Sequence, residues 1–571
     1  MIGDVTSDRA ETAVELICAR ALYCGAHTRQ ASNRPASTSC ALDYPAHPDS
    51  WAGNVKSPER GADVTRIERI ASVRRLCFLS APISMKSAIL RMLIAWACLS
   101  MGTSASAAQT TRDPGRNDGH AKSGMIELAP APQPLDYGKI AQEAAALLSK
   151  YIQIDTTNPP GNELSAARLL REKFLEDGIP ATVWEPQPGR GIVAARLHGR
   201  GHHTKALLLL SHIDVARANP HQWQVPPFSG QIKDGLVWGR GALAGKGQGV
   251  IELMAMLALK RSGVLLDRDI VFLATGDEEQ GGQNGARWAI THEANLFSDA
   301  GYFLNEGGWI RQATNGRRFY AVSVTEKAPL WLKLTAQGPF TQAYAPPDDT
   351  AVTRLIRALD RLLAYQPVIR IIDPVRDYFQ ALGQLEGGPP EYNDVAKALH
   401  DDPEFAKKFL ADPRNNAFVR DTLTPTRLSG SDEPNLIPTI AEAELDVRLL
   451  PGDNPREFEQ NITKVLDDKN VKLETLLNFP AASSTRNSQL MNAITQLAQS
   501  DDARVVPTMS LSFTNSHYFR QKGLIGYGFT PIELNSAEEQ AIRGANESIR
   551  IRELGAAIHR MVQLLNYFGV H

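Results

Sequence analysis

The chain has little cysteine, and none of it lies in the larger part of the molecule. Its 571 residues include five cysteines, Cys18, Cys24, Cys40, Cys77 and Cys98, and none follows Cys98. No two stand in C-x-x-C spacing, so a short zinc or redox motif is excluded. Everything after Cys98 works without a thiol nucleophile or a disulfide. Net charge is also nearly absent: 61 Lys and Arg face 63 Asp and Glu, a formal −2. That balance carries no general electrostatic footprint for nucleic acid. No internal repeat is visible. Hydrophobic residues at 43% and charged residues at 22% sit near the ordinary globular balance. A wholly disordered chain, a collagen-like fibre and a multi-span membrane protein are thereby excluded.

The longest apolar stretch of the first part is Met92–Met101, too short for the ~20 residues a membrane-spanning helix needs. Lys86 and Arg91 precede it, and Ala105-Ser106-Ala107 follows as a small-residue cleavage pattern. Residues 85–108 thus read as a secretory signal peptide. Translation is then expected to begin at Met85, with 1–84 an over-extended start or a disordered leader. Residues 109–134 read as a flexible linker. The expected location is exported, periplasmic or secreted, with no stable membrane span.

From residue 135 the patterning is that of a folded α/β body. A continuous apolar run at 206–210 predicts a parallel strand buried on both faces, and 269–275 (DIVFLAT) reads as another buried strand. Helical spacing at 136–152, 163–177 and 249–260 alternates with them. Near Tyr320 the pattern shifts to strand-like runs and long helices, and 551–568 predicts a closing helix. Strands alternating with helices indicate a sheet covered on both faces.

Three polar clusters follow successive predicted strands, the usual place for ligand sites in open α/β sheets. They are His212 with Asp214, then Asp277-Glu278-Glu279, then Asn305-Glu306. A lone histidine is more often a packing residue, and a lone acidic triplet is more often a solvated turn. Together the clusters can converge on one metal site.

Longer stretches then carry a resemblance. SHIDV (211–215), PPFSGQIKDGLVWGRGAL (226–243), ATGDEEQGG (274–282), NEGG (305–308), NLIPTIAEAELDVRLLPG (435–452) and YGFTPI (527–532) run in order along the body. In these the chain resembles the zinc aminoacylase/carboxypeptidase family, and within it the carboxypeptidase S-like branch. The resemblance implies a catalytic α/β domain, here 135–321 and 481–571, with a central mostly parallel sheet flanked by helices. It implies an inserted α+β lid or dimerisation domain, here 322–480. It implies two zinc ions that polarise a carbonyl and activate a water. His212 and Glu306 would bind one zinc, Glu279 the other, Asp214 would orient His212, and Glu278 would be the general base.

The chain departs from the family where the chemistry sits. The bridging aspartate of G-R-G-x-x-D is Ala244, and the last metal-binding histidine is Arg543. A methyl group has no lone pair, and a guanidinium cannot coordinate. The lid histidine is Gln342, and the G-x-T-D-x-R loop has Asn515 and His517 for its aspartate and arginine. Arg543 is expected either to fill the second zinc's place and pair with Glu279, or to turn to solvent and leave the site empty. One weakly bound ion, or none, follows as the cofactor expectation.

Three functions remain open on these residues. One is an exported relative of the amide hydrolases that binds a small peptide or N-acyl amino acid with impaired or lost activity. Another is an active metallohydrolase with an unusual mononuclear site. The third is a non-catalytic peptide-binding or dimeric scaffold, pairing through the lid.

Overall fold

The computed structural model describes residues 134–201, 205–313 and 315–569. The leader at 1–84, the signal peptide at 85–108 and all but the last residue of the linker at 109–134 lie outside the described residues.

The apolar runs become the centre of a ten-stranded sheet. Strand Ala206–His212 lies between Ile270–Thr275 and Ala300–Asn305 and is parallel to both. Ile525–Gly528 joins Ala300–Asn305, again parallel. Successive side chains of a strand point to opposite faces, so a strand covered on both sides is apolar at every position. Leu207 and Leu209 enter one core while Leu208 and Leu210 enter the other. Fully burying one such leucine contributes about 2–3 kcal/mol. The antiparallel strands Ile192–Leu197 and Ala181–Trp184 extend one side. Arg318–Glu326 carries the other, pairing with Ile310–Gln312 and Arg504–Ser510.

Helix Lys246–Ser262 is buried over most of its length, packed between helices Tyr137–Gln153 and Ile551–Gly569. Helices Ala286–His292 and Ser516–Gln521 cover the opposite face. The sequence reading of a central, mostly parallel sheet flanked by helices agrees with this architecture. Among the described residues no helix is long and apolar enough to cross a membrane.

A second sheet of four antiparallel strands lies within 322–480, in the order Thr422–Ser429, Ile440–Leu449, Ala328–Gln337, Val471–Asn478. Its residues alternate buried and half-buried along Ile440–Leu449, as one covered face requires. Helices Ala351–Ala364 and Pro455–Leu466 supply the cover. Thr350 caps the first, accepting from Thr353 N–H while Thr353 Oγ1 accepts from Thr350 N–H. Such a cap is worth about 1 kcal/mol.

The stretch 373–419 behaves differently from the rest of that segment. Its helices Asp373–Glu386, Pro403–Ala411 and Pro413–Val419 gather Tyr378, Phe379, Phe409 and Phe418 into one cluster. That cluster closes against Phe319, Val506 and Met509, which belong to strands of the ten-stranded sheet. Residues 373–419 therefore pack on the main sheet, although they lie inside the segment assigned to the lid.

Candidate functional site

Parallel neighbours end at one edge of a sheet. Ala206–His212, Ile270–Thr275 and Ala300–Asn305 therefore release His212, Asp277-Glu278-Glu279 and Glu306 side by side. The turn after helix Ser536–Ala541 brings Arg543 to the same place, in the left-handed region at φ 57°.

Arg543 meets three carboxylates there. Its Nε donates to Glu279 Oε1 at 2.9 Å, and its Nη2 donates to Glu278 Oε2 at 2.9 Å and to Glu306 Oε1 at 3.4 Å. The expected pairing with Glu279 is present and extends to Glu278 and Glu306. The solvent-facing alternative does not hold.

His212 is 2% exposed. Its Nδ1 lies 2.8 Å from the main-chain carbonyl of Asp214. The proton on Nδ1 is donated there, which turns Nε2 toward Glu306 Oε1 at 3.7 Å. Nε2 is buried and, among the described residues, has no hydrogen-bond partner. The Asp214 carboxylate, expected to orient the imidazole, is 3.6 Å from Nδ1. It accepts instead from the main-chain N–H groups of Glu278 and Glu279, both at 3.0 Å, and from Asn158 Nδ2 at 2.9 Å. Its first task is to hold the turn that presents the two glutamates. Burial would raise the Asp214 carboxyl, but His212, Asn158 and the Glu279 N–H bring it below its usual range.

The electrostatics follow from burial against neighbours. Burial opposes charge on His212, yet Glu306 and Glu278 hold the imidazole well above its usual range. Burial would lift Glu306, but Arg543 and His212 draw it down to about 2. Burial pushes Glu278 well up, more than Arg543 lowers it. Burial thus opposes charge on Glu278, while Arg543 and His212 favour it on Glu306.

Metal fit can be tested on these residues. A pair of ions does not fit. Ala244 offers a methyl group, and the Arg543 fork already occupies Glu278, Glu279 and Glu306. One ion has a partial donor set: ligand atoms of His212, Glu278 and Glu306 lie within 4.8 Å of one another. Glu279, expected as a ligand, is outside that group.

The Ala244 loop is tightly held all the same. Glu547, fully buried, accepts from the N–H groups of Gly241, Leu243 and Ala244 and pairs with Arg240. Gly245 has φ 72°, and a Cβ there would come within 2.7 Å of His212 Cε1. Only glycine lets the loop pass so close to the imidazole.

Sequence reasoning missed Glu547 and a second supporting group. Arg190 Nη2 donates to Asp277 Oδ1 at 2.7 Å and its Nε lies 3.1 Å from Glu163 Oε2. Asp277, at φ 70°, also accepts from Asn284 N–H. Burial, then Asp214, pushes the Glu163 carboxyl up to about 7. No motif marks these residues. The single signal was that Asp277 stood beside the two glutamates.

The remaining substituted positions separate. Asn515 is buried and donates through Nδ2 to Thr275 Oγ1 at 3.1 Å. Gln342 lies exposed in the short ladder Thr341–Gln342 with Leu436–Ile437, and among the described residues no hydrogen bond or ion pair joins it to the glutamates. His517 is buried, stacked on Phe479 at 3.6 Å between centroids, with Nδ1 donating to the Thr514 carbonyl at 2.8 Å. Burial lowers its imidazole to about 4. A neutral ring cannot grip a carboxylate by charge.

His517 makes stability pH-dependent. Its folded value is depressed below the usual 6.5. The unfolded chain therefore takes up the proton first, and stability falls as pH drops from 6.5 through about 4. The span corresponds to about 3 kcal/mol. His517→Asn keeps a donor for Thr514 and takes up no proton. Urea unfolding at pH 7 and pH 4.5 is expected to show a smaller acid loss in this variant than in the native chain.

A profile of Peptidase family M20/M25/M40 matches residues 208–567. "Probable carboxypeptidase S-like 2" of Dictyostelium discoideum is 28% identical over 368 residues, covering 62% of this chain and 70% of that protein. The Mus musculus "N-fatty-acyl-amino acid synthase/hydrolase PM20D1" is 27% identical over 422 residues, covering 70% and 83%. Among solved structures, the M20 family metallo-carboxypeptidase Sso-CP2 from Sulfolobus solfataricus superposes with a TM-score of 0.57 at 20% identity, over 75% of this chain and 99% of that one. The di-peptidase Dug1p from Saccharomyces cerevisiae gives 0.59 at 16% identity, over 76% and 97%. The two structural matches establish the fold, and the profile spans well over half of the sequence. By that match the chain belongs to peptidase family M20/M25/M40, a family of peptidases and aminoacylase-type hydrolases.

Proposed function

We propose that the cleft binds a small peptide or N-acyl amino acid and that its amide hydrolysis is impaired or lost. The observation that carries this reading is the Arg543 fork on Glu278, Glu279 and Glu306. A fixed organic cation stands where a dinuclear hydrolase needs an exchangeable metal, and Ala244 cannot bridge. The ligand class rests on relatives named as an N-fatty-acyl-amino acid synthase/hydrolase and as aminoacylase-1. Export, on the pattern of residues 85–108, and pairing through the lid segment 322–480 belong to the same proposal.

A second reading has one specific support. The buried, partnerless Nε2 of His212, facing Glu306, suits a single ion held with Glu278 and Glu306. Such an ion competes with Arg543 Nη2 for both carboxylates.

Calorimetric titration and product chromatography on the same purified chain test the proposal. N-acetyl amino acids and dipeptides are expected to bind without measurable turnover, with or without added Zn²⁺. Zinc-dependent turnover near about 1 s⁻¹, within the ordinary enzyme range, would favour the mononuclear hydrolase instead.

A further inference from the structure

A cavity of about 480 Å³ opens on the far side of Arg543. Gly307 and Gly308, next to Glu306, form part of its wall, so it adjoins the carboxylates. The volume lies within the ordinary range of small-molecule sites. Two features set its chemistry. Trp309, Phe418, Met509 and Leu511 give it an apolar body. Arg311, Arg414, Arg448 and Arg543 also line it, and Glu539 is its single acidic lining residue.

The arginines differ in what they still offer. Arg543 is taken up by the three glutamates, and Arg448 pairs with Asp446 through Nε and Nη2. Arg311 and Arg414 share Glu539, at 3.3 and 2.6 Å. The Arg414 side chain is 49% exposed and meets Glu539 through Nη1. Its Nε and Nη2 edge has no partner among the described residues, and that edge matches a carboxylate in bidentate geometry. The Tyr378 hydroxyl accepts from Arg311 Nη1 at 2.7 Å, which leaves its own proton to donate.

We infer that this cavity is the carboxylate-recognition pocket of the chain. It takes a small monocarboxylate with an apolar side chain, such as an aromatic N-acyl amino acid, with the carboxylate on Arg414 and the side chain against Trp309 and Phe418. It rests on the reading of the cleft as a ligand-binding site. Position 517 offers no such charge, because a neutral histidine stacks on Phe479 there. Two walls come from helices Asp373–Glu386 and Pro413–Val419, which carry Tyr378 and Arg414. This gives residues 373–419 a reason to pack on the main sheet.

The test uses the full chain in EDTA and reads binding alone. N-acetyl-L-phenylalanine is expected to bind at least tenfold more tightly than its amide and than N-acetylglycine. Arg414→Gln is expected to abolish the preference for the acid while circular dichroism stays native. Arg427→Gln, on the separate cavity beside Trp331 and Glu444, is expected to keep it. Equal binding of acid and amide by the native chain overturns the inference, and that comparison needs no variant. Survival of the preference in Arg414→Gln, or its loss in Arg427→Gln, overturns it as well. Metal-dependent turnover would defeat the proposed function while leaving this pocket standing. Absence of both turnover and acid preference would do the reverse.

Discussion

Replacing Arg543 with alanine is expected to lower stability by about 3 kcal/mol, the range for removing one partner of a buried ion pair. The guanidinium side chain is 27% exposed, but the carboxylates it leaves behind are 3%, 15% and 13% exposed at Glu278, Glu279 and Glu306. Their remaining cation is His212, whose Nε2 is 3.7 Å from Glu306. Without Arg543 the Glu306 carboxyl, drawn down to about 2 in the native fold, rises toward its unfolded value. The variant then takes up a proton that the native fold excludes, so the deficit is expected to shrink as pH falls from 7 toward 4. Added Zn²⁺ is expected to raise the melting temperature of the variant more than that of the native chain, because removing the guanidinium frees Glu278, Glu279 and Glu306 for a dication. Urea denaturation at two pH values and a thermal scan with zinc check this. A loss below about 0.5 kcal/mol, the level of an ordinary surface substitution, would mean that Arg543 is not a structural cation.

The second large effect is a gain. Ala244→Asp adds one negative charge and Arg543→His removes one positive charge. Together they open the cleft to a dication and restore two donors. The new carboxylate would emerge from a loop already fixed by Glu547 through the Ala244 N–H at 3.0 Å. Its approach to His212 is set by Gly245. The double variant is expected to bind zinc and to hydrolyse N-acetyl amino acids at least about 100-fold faster than the native chain, the scale of a restored nucleophile and polarising ion. Full activity is not expected, because Asn515 is tied to Thr275 and His517 to Phe479. Each single substitution restores only one donor and is expected to show little gain.

Much of this was legible in the sequence, for physical reasons. A strand buried on both faces is apolar along its length, so 206–210 and 270–274 announced themselves. Parallel strands end together, so the polar residues after them had to converge. The Arg543 pairing followed from charge, since a cation set among carboxylates seeks them. What was not legible depends on contacts between distant segments. Asp214 had a carboxylate suited to orient His212, but the main-chain carbonyl took that role and freed the carboxylate for the Glu278–Glu279 turn. Glu547 lies about 300 residues from the loop it clamps, as Leu243 shows with a separation of 304. Arg190 reaches Asp277 from 87 residues away. The packing of 373–419 on the main sheet was hidden too, because an apolar helix face does not name the surface it will cover.

The most direct test of the central claim, that Arg543 stands in for a metal ion, is the zinc content of the two proteins after expression in zinc-supplemented medium and gel filtration. At most one ion is expected per native chain, and one more per chain of the Ala244→Asp, Arg543→His variant. Two zinc ions on the native chain would contradict it.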